Sequence, residues 1–261
     1  MNIIEQTEKD FAKYIGTKYA MLLNSGTSAL YCAYRAINIK DKEVIVPAFT
    51  YYATANMVLA AGGIPVFADI RSNCLIDFEK VEKLITKKTA AVVLVNLFGE
   101  EYLFPHSFAT HLKKKRIKLI VDAAQCCKPG INYGDIQCFS FYRTKNFSCF
   151  EGGAVTTNDK KLMKKMYIVS HQGEDTKYNT VDLGFNFRIS DLQAVMLQHQ
   201  LNYHFIGGKA ELGRFTPKNG HYPRVVYEQP YYKELGYYKK YKGTCPVAEG
   251  LAKEVREKYW K

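Results

Sequence analysis

Short apolar runs alternate with helical patterns through residue 203. The runs are Tyr19–Leu23, Glu43–Val46, Ile64–Phe67, Ala91–Val95, Lys118–Val121, Ile136–Phe141 and Gly153–Thr156. The helical patterns are Thr27–Ile37, Thr50–Ala61, Phe78–Ile85, Pro105–Lys115, Asp159–Ser170 and Ile189–Tyr203. The strand runs are continuous in Val, Ile and Leu instead of strictly alternating, as in strands covered on both faces. The order of elements predicts an α/β layered fold on a largely parallel sheet, with no internal repeat.

The tail reads differently. From Leu201 to Lys261 there are twelve Lys or Arg, six Asp or Glu and nine Tyr. Gly207-Gly208, Pro217, Asn219-Gly220, Pro223, Pro230 and Pro246 divide it into short pieces. Only Val247–Trp260 reads as a full helix. The expected division is a large domain, 1–203, followed by a smaller unit, 204–261.

Composition narrows the class. With 261 residues, 47% of them hydrophobic and 24% charged, the chain can bury a sizeable core. Fifteen Phe and twenty Tyr exclude disorder for most of it. No apolar stretch of about 18 residues exists, so no membrane-spanning helix is expected. The opening MNIIEQTEKDF has neither a basic nor an apolar signal region, so no signal peptide is expected. Seven Cys, without a CxxC, read as reduced thiols of a cytoplasmic protein, and no metal site is expected. The net charge of +12 suits anionic partners: nucleic acid, anionic lipid or phosphorylated small molecules. A lysine-rich background would give the same balance.

Three segments carry candidate chemistry. In Asn24-Ser25-Gly26-Thr27-Ser28-Ala29-Leu30, a strand gives way to a helix whose free N–H groups and dipole would seat an anion. Ordinary Ser/Thr capping explains the same residues. In Leu119-Ile120-Val121-Asp122-Ala123-Ala124-Gln125, a carboxylate ends a very apolar strand, where ligand-facing residues sit in open α/β sheets. A helix N-cap is the plainer alternative. In Asp135–Asn146 and the following Glu151-Gly152-Gly153-Ala154, Lys145 follows a buried strand and precedes a glycine pair. A lysine in an apolar pocket has a depressed pKa and can act as a nucleophile. A solvated loop lysine is the ordinary fate. Ser140, at the end of the same strand, could share an anion with the first loop. Together, an anion seat, a strand-end Asp and a strand-end Lys match the needs of pyridoxal phosphate: a place for its phosphate, an acid for its pyridine nitrogen and an amine for its aldehyde.

In that order the segments resemble the DegT/DnrJ/EryC1/StrS nucleotide-sugar aminotransferases. The resemblance runs through FAKYIGTKYAMLLNSGTSAL, VPAFTYYATANMVLAAGGIPVFADI, VVLVNLFG, IVDAAQ, GDIQCFSFYRTKNFSCFEGGAVTTND and GFNFRISDLQAVML, then HYPRVVYEQPYYKELGY and CPVAEGLAKEV. It implies the fold-type I architecture of pyridoxal-phosphate transferases, with a mostly parallel seven-stranded sheet in the large domain. By the same resemblance, Lys145 is the Schiff-base lysine and Asp122 the partner of the pyridine nitrogen. Gln125 lies near the cofactor's ring oxygen and Tyr51 stacks on the ring. Gly26, Thr27 and Ser140 hold the phosphate. Asn186 reaches the phosphate in the other subunit, which implies a homodimer with a shared active site. The implied reaction moves an amino group from glutamate to a nucleotide-linked keto-sugar, often a 4-keto-6-deoxy sugar.

The chain also departs from the family pattern. The arm that usually precedes FAKYIGTKYA is nearly absent. The interval between Tyr203 and His221 is collapsed, which shortens the small C-terminal domain. Asn96 replaces a usual His, the loop between Pro129 and Asp135 is short, and His171-Gln172-Gly173 carries an extra residue. The shortened domain leaves a second reading open: a cofactor-binding but catalytically impaired homologue that partners a full-length aminotransferase. A third, a nucleic-acid or membrane module using the Lys/Tyr-rich tail, is disfavoured because those tyrosines lie in the family-like blocks.

Overall fold

The structure is a computed structural model that describes residues 2–100, 106–205 and 220–260. Seven strands build one sheet in the order β1-β7-β6-β5-β4-β2-β3. They are β1 (Tyr19–Leu23), β2 (Glu43–Pro47), β3 (Ile64–Ala68), β4 (Thr89–Val95), β5 (Lys118–Asp122), β6 (Ile136–Ser140) and β7 (Gly153–Thr157). Only β7 runs antiparallel to its neighbours, β1 and β6; the remaining pairs are parallel. The expected mostly parallel α/β sheet is therefore present. The reversal at β7 follows from its connection: residues 141–152 hold no helix, and the chain must turn straight back.

Helices α1 (Ile3–Ile15), α2 (Gly26–Ala36), α3 (Ala53–Ala60), α4 (Phe78–Leu84), α5 (His106–Lys114), α6 (Lys160–Ser170) and α7 (Asp191–Phe205) cover the sheet. Alternate strand residues feed opposite cores. Val44 and Val46 pack with α2 and α3, whereas Ile45 packs with Phe78 and Leu112 of α4 and α5. Burial on both faces accounts for the uninterrupted Val/Ile/Leu runs. A further core joins Phe11, Tyr14 and Ile15 of α1 to Phe139, Phe141 and Leu197.

Two local departures from the sequence pattern bear on function. Helix α3 starts at Ala53, not Thr50, because Thr50, Tyr51 and Tyr52 form the turn that feeds it: the N–H of Thr54 donates to the carbonyl of Tyr51 at 3.2 Å. The tail holds more helix than its Pro and Gly content suggests. Alongside α10 (Pro246–Tyr259) it forms α8 (Pro230–Glu234) and α9 (Tyr237–Tyr241). Pro230 opens α8 at a position where its missing N–H costs nothing, and Gly236, at φ 80°, separates the two. Val226, Tyr227, Tyr232, Tyr241 and Ala248 of the tail are buried in the same core as Val44 and Phe67. The buried carboxylate of Asp69, at the end of β3, accepts from the N–H groups of Val247 (3.1 Å) and Ala248 (2.9 Å) and so caps α10 from across the chain. Pro105, Gly207-Gly208, Pro217 and Asn219 lie outside the described residues.

Candidate active site

A cavity of about 760 Å³ opens at the C-terminal ends of the parallel strands, where ligands bind in open α/β sheets. Gly26, Thr27, Tyr51, Asp122, Gln125, Ser140 and Lys145 all line it. Asn186 does not. It is exposed, on the strand-like stretch that pairs with His171, and its backbone carbonyl accepts from the Asn24 amide at 3.4 Å.

The anion seat is made by close approach of three strand ends. Helix α2 is capped by Ser25, whose hydroxyl accepts from the N–H of Ser28 at 3.0 Å. That leaves the first turn, Gly26 and Thr27, open to the cavity. A Cβ on Gly26 would meet the Ser140 Cβ at 2.8 Å, so glycine lets the end of β6 press against the start of α2. On the other side, a Cβ on Gly153 would lie 2.3 Å from the backbone of Ser25. Ser25, Gly26 and Ser140 therefore form one wall only because β7 begins with glycine. Gly153→Ala should cost about 3 kcal/mol or more, since backbone must move. The same change should weaken phosphate binding. Thermal unfolding and equilibrium titration with pyridoxal phosphate would check both.

Asp122 ends β5 and is buried. Its Oδ2 accepts from the Thr54 hydroxyl at 2.8 Å and its Oδ1 from the N–H of Ala124 at 3.2 Å. Tyr34 in turn donates to the Thr54 carbonyl at 2.9 Å, fixing that hydroxyl's helix. Burial pushes the Asp122 pKa above the carboxylate value of 3.8; the two hydrogen bonds and the Lys145 charge pull against it. A carboxyl in this state favours a partner that brings a proton or a positive charge.

Lys145 sits in the loop between β6 and β7. Its N–H donates to the Tyr142 carbonyl at 2.8 Å, a tight turn that aims the side chain back toward the cavity it lines. The loop is anchored from below. Phe141 and Phe147 are buried against α1, edge-on to Phe11 (5.4 Å) and Tyr14 (5.1 Å) respectively. Burial lowers the Lys145 pKa below its usual 10.5, and the Asp122 charge opposes the shift without reversing it.

Gln125 is oriented by obligate partners. The N–H of Phe98 can only donate, so the Gln125 Oε1 must face it, at 2.7 Å; the Gln125 Nε2 then donates to the Tyr222 hydroxyl at 2.7 Å. Tyr51 lies beside Tyr52, ring centroids 4.2 Å apart, and is half-exposed at the cavity mouth. Burial and the neighbouring Tyr52 raise its phenol pKa to about 12, which keeps it neutral.

Several residues that build the site went unnoticed in the sequence. Thr54, which satisfies Asp122, sits in an apolar helix with no motif around it. Tyr222 reaches Gln125 from 97 positions along the chain. Its only local sign is the His-Tyr-Pro block, and it adopts a left-handed backbone, φ 61°. Gly220, His221, Pro223, Gln229 and Trp260 also line the cavity from the tail.

Residues 2–205 match the model of the DegT/DnrJ/EryC1/StrS aminotransferase family, and the chain belongs to that family. It is 32% identical over 247 residues to UDP-4-amino-4,6-dideoxy-N-acetyl-beta-L-altrosamine transaminase of Campylobacter jejuni, covering 88% of this chain and 66% of the relative. It is 36% identical over 208 residues to GDP-perosamine synthase of Caulobacter vibrioides, covering 76% and 56%. The chain thus spans 56 to 66% of the length of these relatives. Among solved structures, DesV of S. venezuelae, in complex with a ketimine intermediate, superposes with a TM-score of 0.84 at 28% identity, over 97% of this chain and 82% of that one. The sheet and its helices are those of fold-type I pyridoxal-phosphate transferases. The site's own chemistry fits that cofactor: a glycine-walled anion seat, a buried acid and a desolvated amine converge on one cavity.

Proposed function

We propose that this chain transfers an amino group from glutamate to a nucleotide-linked keto-sugar, with pyridoxal phosphate as cofactor and Lys145 as the amine that binds it. The observation that carries the reading is the convergence of Lys145, Asp122, Gly26, Thr27 and Ser140, from three separate segments, on one cavity. When bound, pyridoxal phosphate supplies an electron sink for the bond being broken at the donor's α-carbon. Gly26, Thr27 and Ser140 would hold its phosphate, and Asp122 would keep a proton on its ring nitrogen. Gln125 would meet the ring oxygen, and Tyr51 would cover the ring face. Lys145 Nζ, as a neutral amine, would take the proton from the donor's α-carbon and pass it to the cofactor's former aldehyde carbon. Its lowered pKa serves this role, because desolvation disfavours the ammonium form and leaves the amine a readier base.

A keto-sugar carried on a nucleotide suits the basic chain and the cavity's size. The 4-keto-6-deoxy class is our choice among sugars. The working form in this reading is a homodimer. Phe150, Leu183, Leu192 and Val195 are exposed apolar side chains, and in this reading a second copy would cover them and bring Asn186 to the neighbouring phosphate. The seven cysteines are free and buried, in keeping with a cytoplasmic home. We read residues 1–203 as the cofactor-binding unit and 204–261 as a reduced C-terminal unit that closes the cavity through Tyr222.

The test is the visible spectrum of the purified chain with pyridoxal phosphate. A yellow band is expected that bleaches with glutamate and returns on adding a nucleotide-linked 4-keto-6-deoxy sugar. A band that ignores glutamate would overturn catalysis and leave the cofactor-binding partner of a longer aminotransferase. Absence of any band would overturn cofactor binding by this chain.

A further inference from the structure

The parallel sheet has a second functional-looking end. Three neighbouring strands, β2, β4 and β5, all start from lysine-bearing segments: Lys42 precedes β2, Lys87 and Lys88 precede β4, and Arg116 and Lys118 lead into β5. Parallel pairing places these starts side by side. Glu43 registers with Thr89, and Ala91 with Lys118. The N–H of Glu43 donates to the Lys88 carbonyl at 3.0 Å, locking the first two starts together. Strands lie about 4.8 Å apart, so the register brings these lysine-bearing strand starts side by side.

The row borders a concavity of about 630 Å³. Its floor is small and apolar, with Ala36, Ile37, Ala90 and Leu162, and Lys165 of α6 closes the far side. Lys115 and Lys118 are each paired, with Glu82 at 2.9 Å and Asp135 at 2.7 Å. Lys42, Lys87, Lys88, Arg116 and Lys165 have no carboxylate within ion-pair distance among the described residues. The nearby carboxylate of Glu43 is occupied by the hydroxyls of Thr86 and Thr89. The C-terminal dipole of α5 accounts for His111, Lys113 and Lys114 in its last turn. It does not account for Lys42, Lys87, Lys88 or Lys165, which lie on other segments. Among the described residues, no aromatic side chain lines the concavity to stack a base.

We propose that this concavity is a binding site for a phosphate-bearing anion, held by Lys42, Lys87, Lys88, Arg116 and Lys165. It is separate from the candidate active site. The two lie at opposite ends of strands about 17 Å long, and α2 joins them, with its first turn at the anion seat and its last residues, Ala36 and Ile37, in the basic concavity. The ligand chemistry is a chain or cluster of phosphates without a recognised base. Its source is either a soluble polyphosphate or the headgroups of an anionic bilayer.

Inorganic tripolyphosphate, titrated calorimetrically into protein whose catalytic cavity is filled with pyridoxal phosphate, tests the soluble source. Co-sedimentation with phosphatidylcholine vesicles containing phosphatidylglycerol tests the bilayer. The double variant Lys42→Gln/Lys88→Gln should weaken the ligand that binds by tenfold or more and flatten its salt dependence. Lys253→Gln, on the exposed face of α10, should change neither. Saturable tripolyphosphate binding that competes the protein off vesicles supports a site for free phosphate chains; vesicle binding that tripolyphosphate does not displace, yet is lost in the double variant, supports headgroups. Absence of both at physiological salt, or equal binding by the double variant and Lys253→Gln, overturns the site. The double variant should keep its melting temperature and its cofactor spectrum, because neither lysine touches the catalytic cavity.

Discussion

Lys145→Ala should lower transamination by about four orders of magnitude, the full range that a positioned acid–base group contributes. The change removes both the amine that binds the aldehyde and the base that moves the proton. It should leave the fold intact, since the loop is anchored by Phe141 and Phe147 and not by the lysine. A readout independent of turnover exists. Borohydride trapping with pyridoxal phosphate should mark one lysine at low cofactor excess, and mass spectrometry should place it at 145. Its pH dependence has a definite sign. Burial disfavours the ammonium form, so Lys145 reaches its free base at lower pH than an ordinary lysine of pKa 10.5. Trapping at Lys145 should therefore rise with pH earlier than trapping at exposed lysines such as Lys253. Because the Asp122 charge raises the Lys145 pKa, Asp122→Asn should move that rise to still lower pH. A trapping profile that matches exposed lysines would contradict the desolvated site.

Much of the framework was legible before any coordinates. All seven strand runs fall within one or two residues of their observed ends, because strands buried on both faces announce themselves by composition alone. Asp122, Ser140 and Lys145 were also legible, since each sits at a fixed offset from a buried strand and the sheet places all such offsets at one end. What stayed hidden depends on contacts between distant segments. No pattern in ATANMVLA marks Thr54 as the donor to Asp122, because the helix is apolar on all sides and its hydroxyl finds its partner only across the sheet. Likewise, Gly153 looks like half of an ordinary turn. Its reason, a 2.3 Å approach to Ser25, exists only once β1 and β7 are paired. Tyr222 was hidden for a third cause: punctuation by Pro223 and Gly220 reads as loop, and the side chain's use of that loop to reach Gln125 is a property of tertiary packing. The basic row before β2, β4 and β5 is dispersed in sequence as well, and only parallel register assembles it.

Asp122→Ala should cost the reaction about two to three orders of magnitude, comparable with removal of one preorganised electrostatic partner in a water-poor site. In the proposed role, Asp122 holds a proton on the cofactor's ring nitrogen, and the protonated ring is the better acceptor of charge from the donor's α-carbon. In that role Asp122 would serve better than a solvated carboxylate. Thr54 and Ala124 donate to it, yet burial still leaves its pKa raised. The two neutral donors do not fully replace the lost water, so a cationic N–H at the ring would meet the carboxylate's remaining demand. That argument separates two substitutions. Asp122→Asn keeps the shape and the contact with the Thr54 hydroxyl but loses the charge; Asp122→Glu keeps the charge and crowds the strand end. If charge at this position is what matters, Asn should be nearly as slow as Ala, while cofactor affinity falls less for Asn. If Asp122 served only to cap the 122–125 turn through Ala124, Asn would retain most of the activity, since its carbonyl can accept the same N–H. Single-turnover rates with glutamate, followed through the cofactor's absorbance, distinguish these outcomes. Thr54→Val supplies the matching control, because removing one hydroxyl should leave the Asp122 charge less stabilised and raise its pKa further, slowing the half-reaction most at low pH.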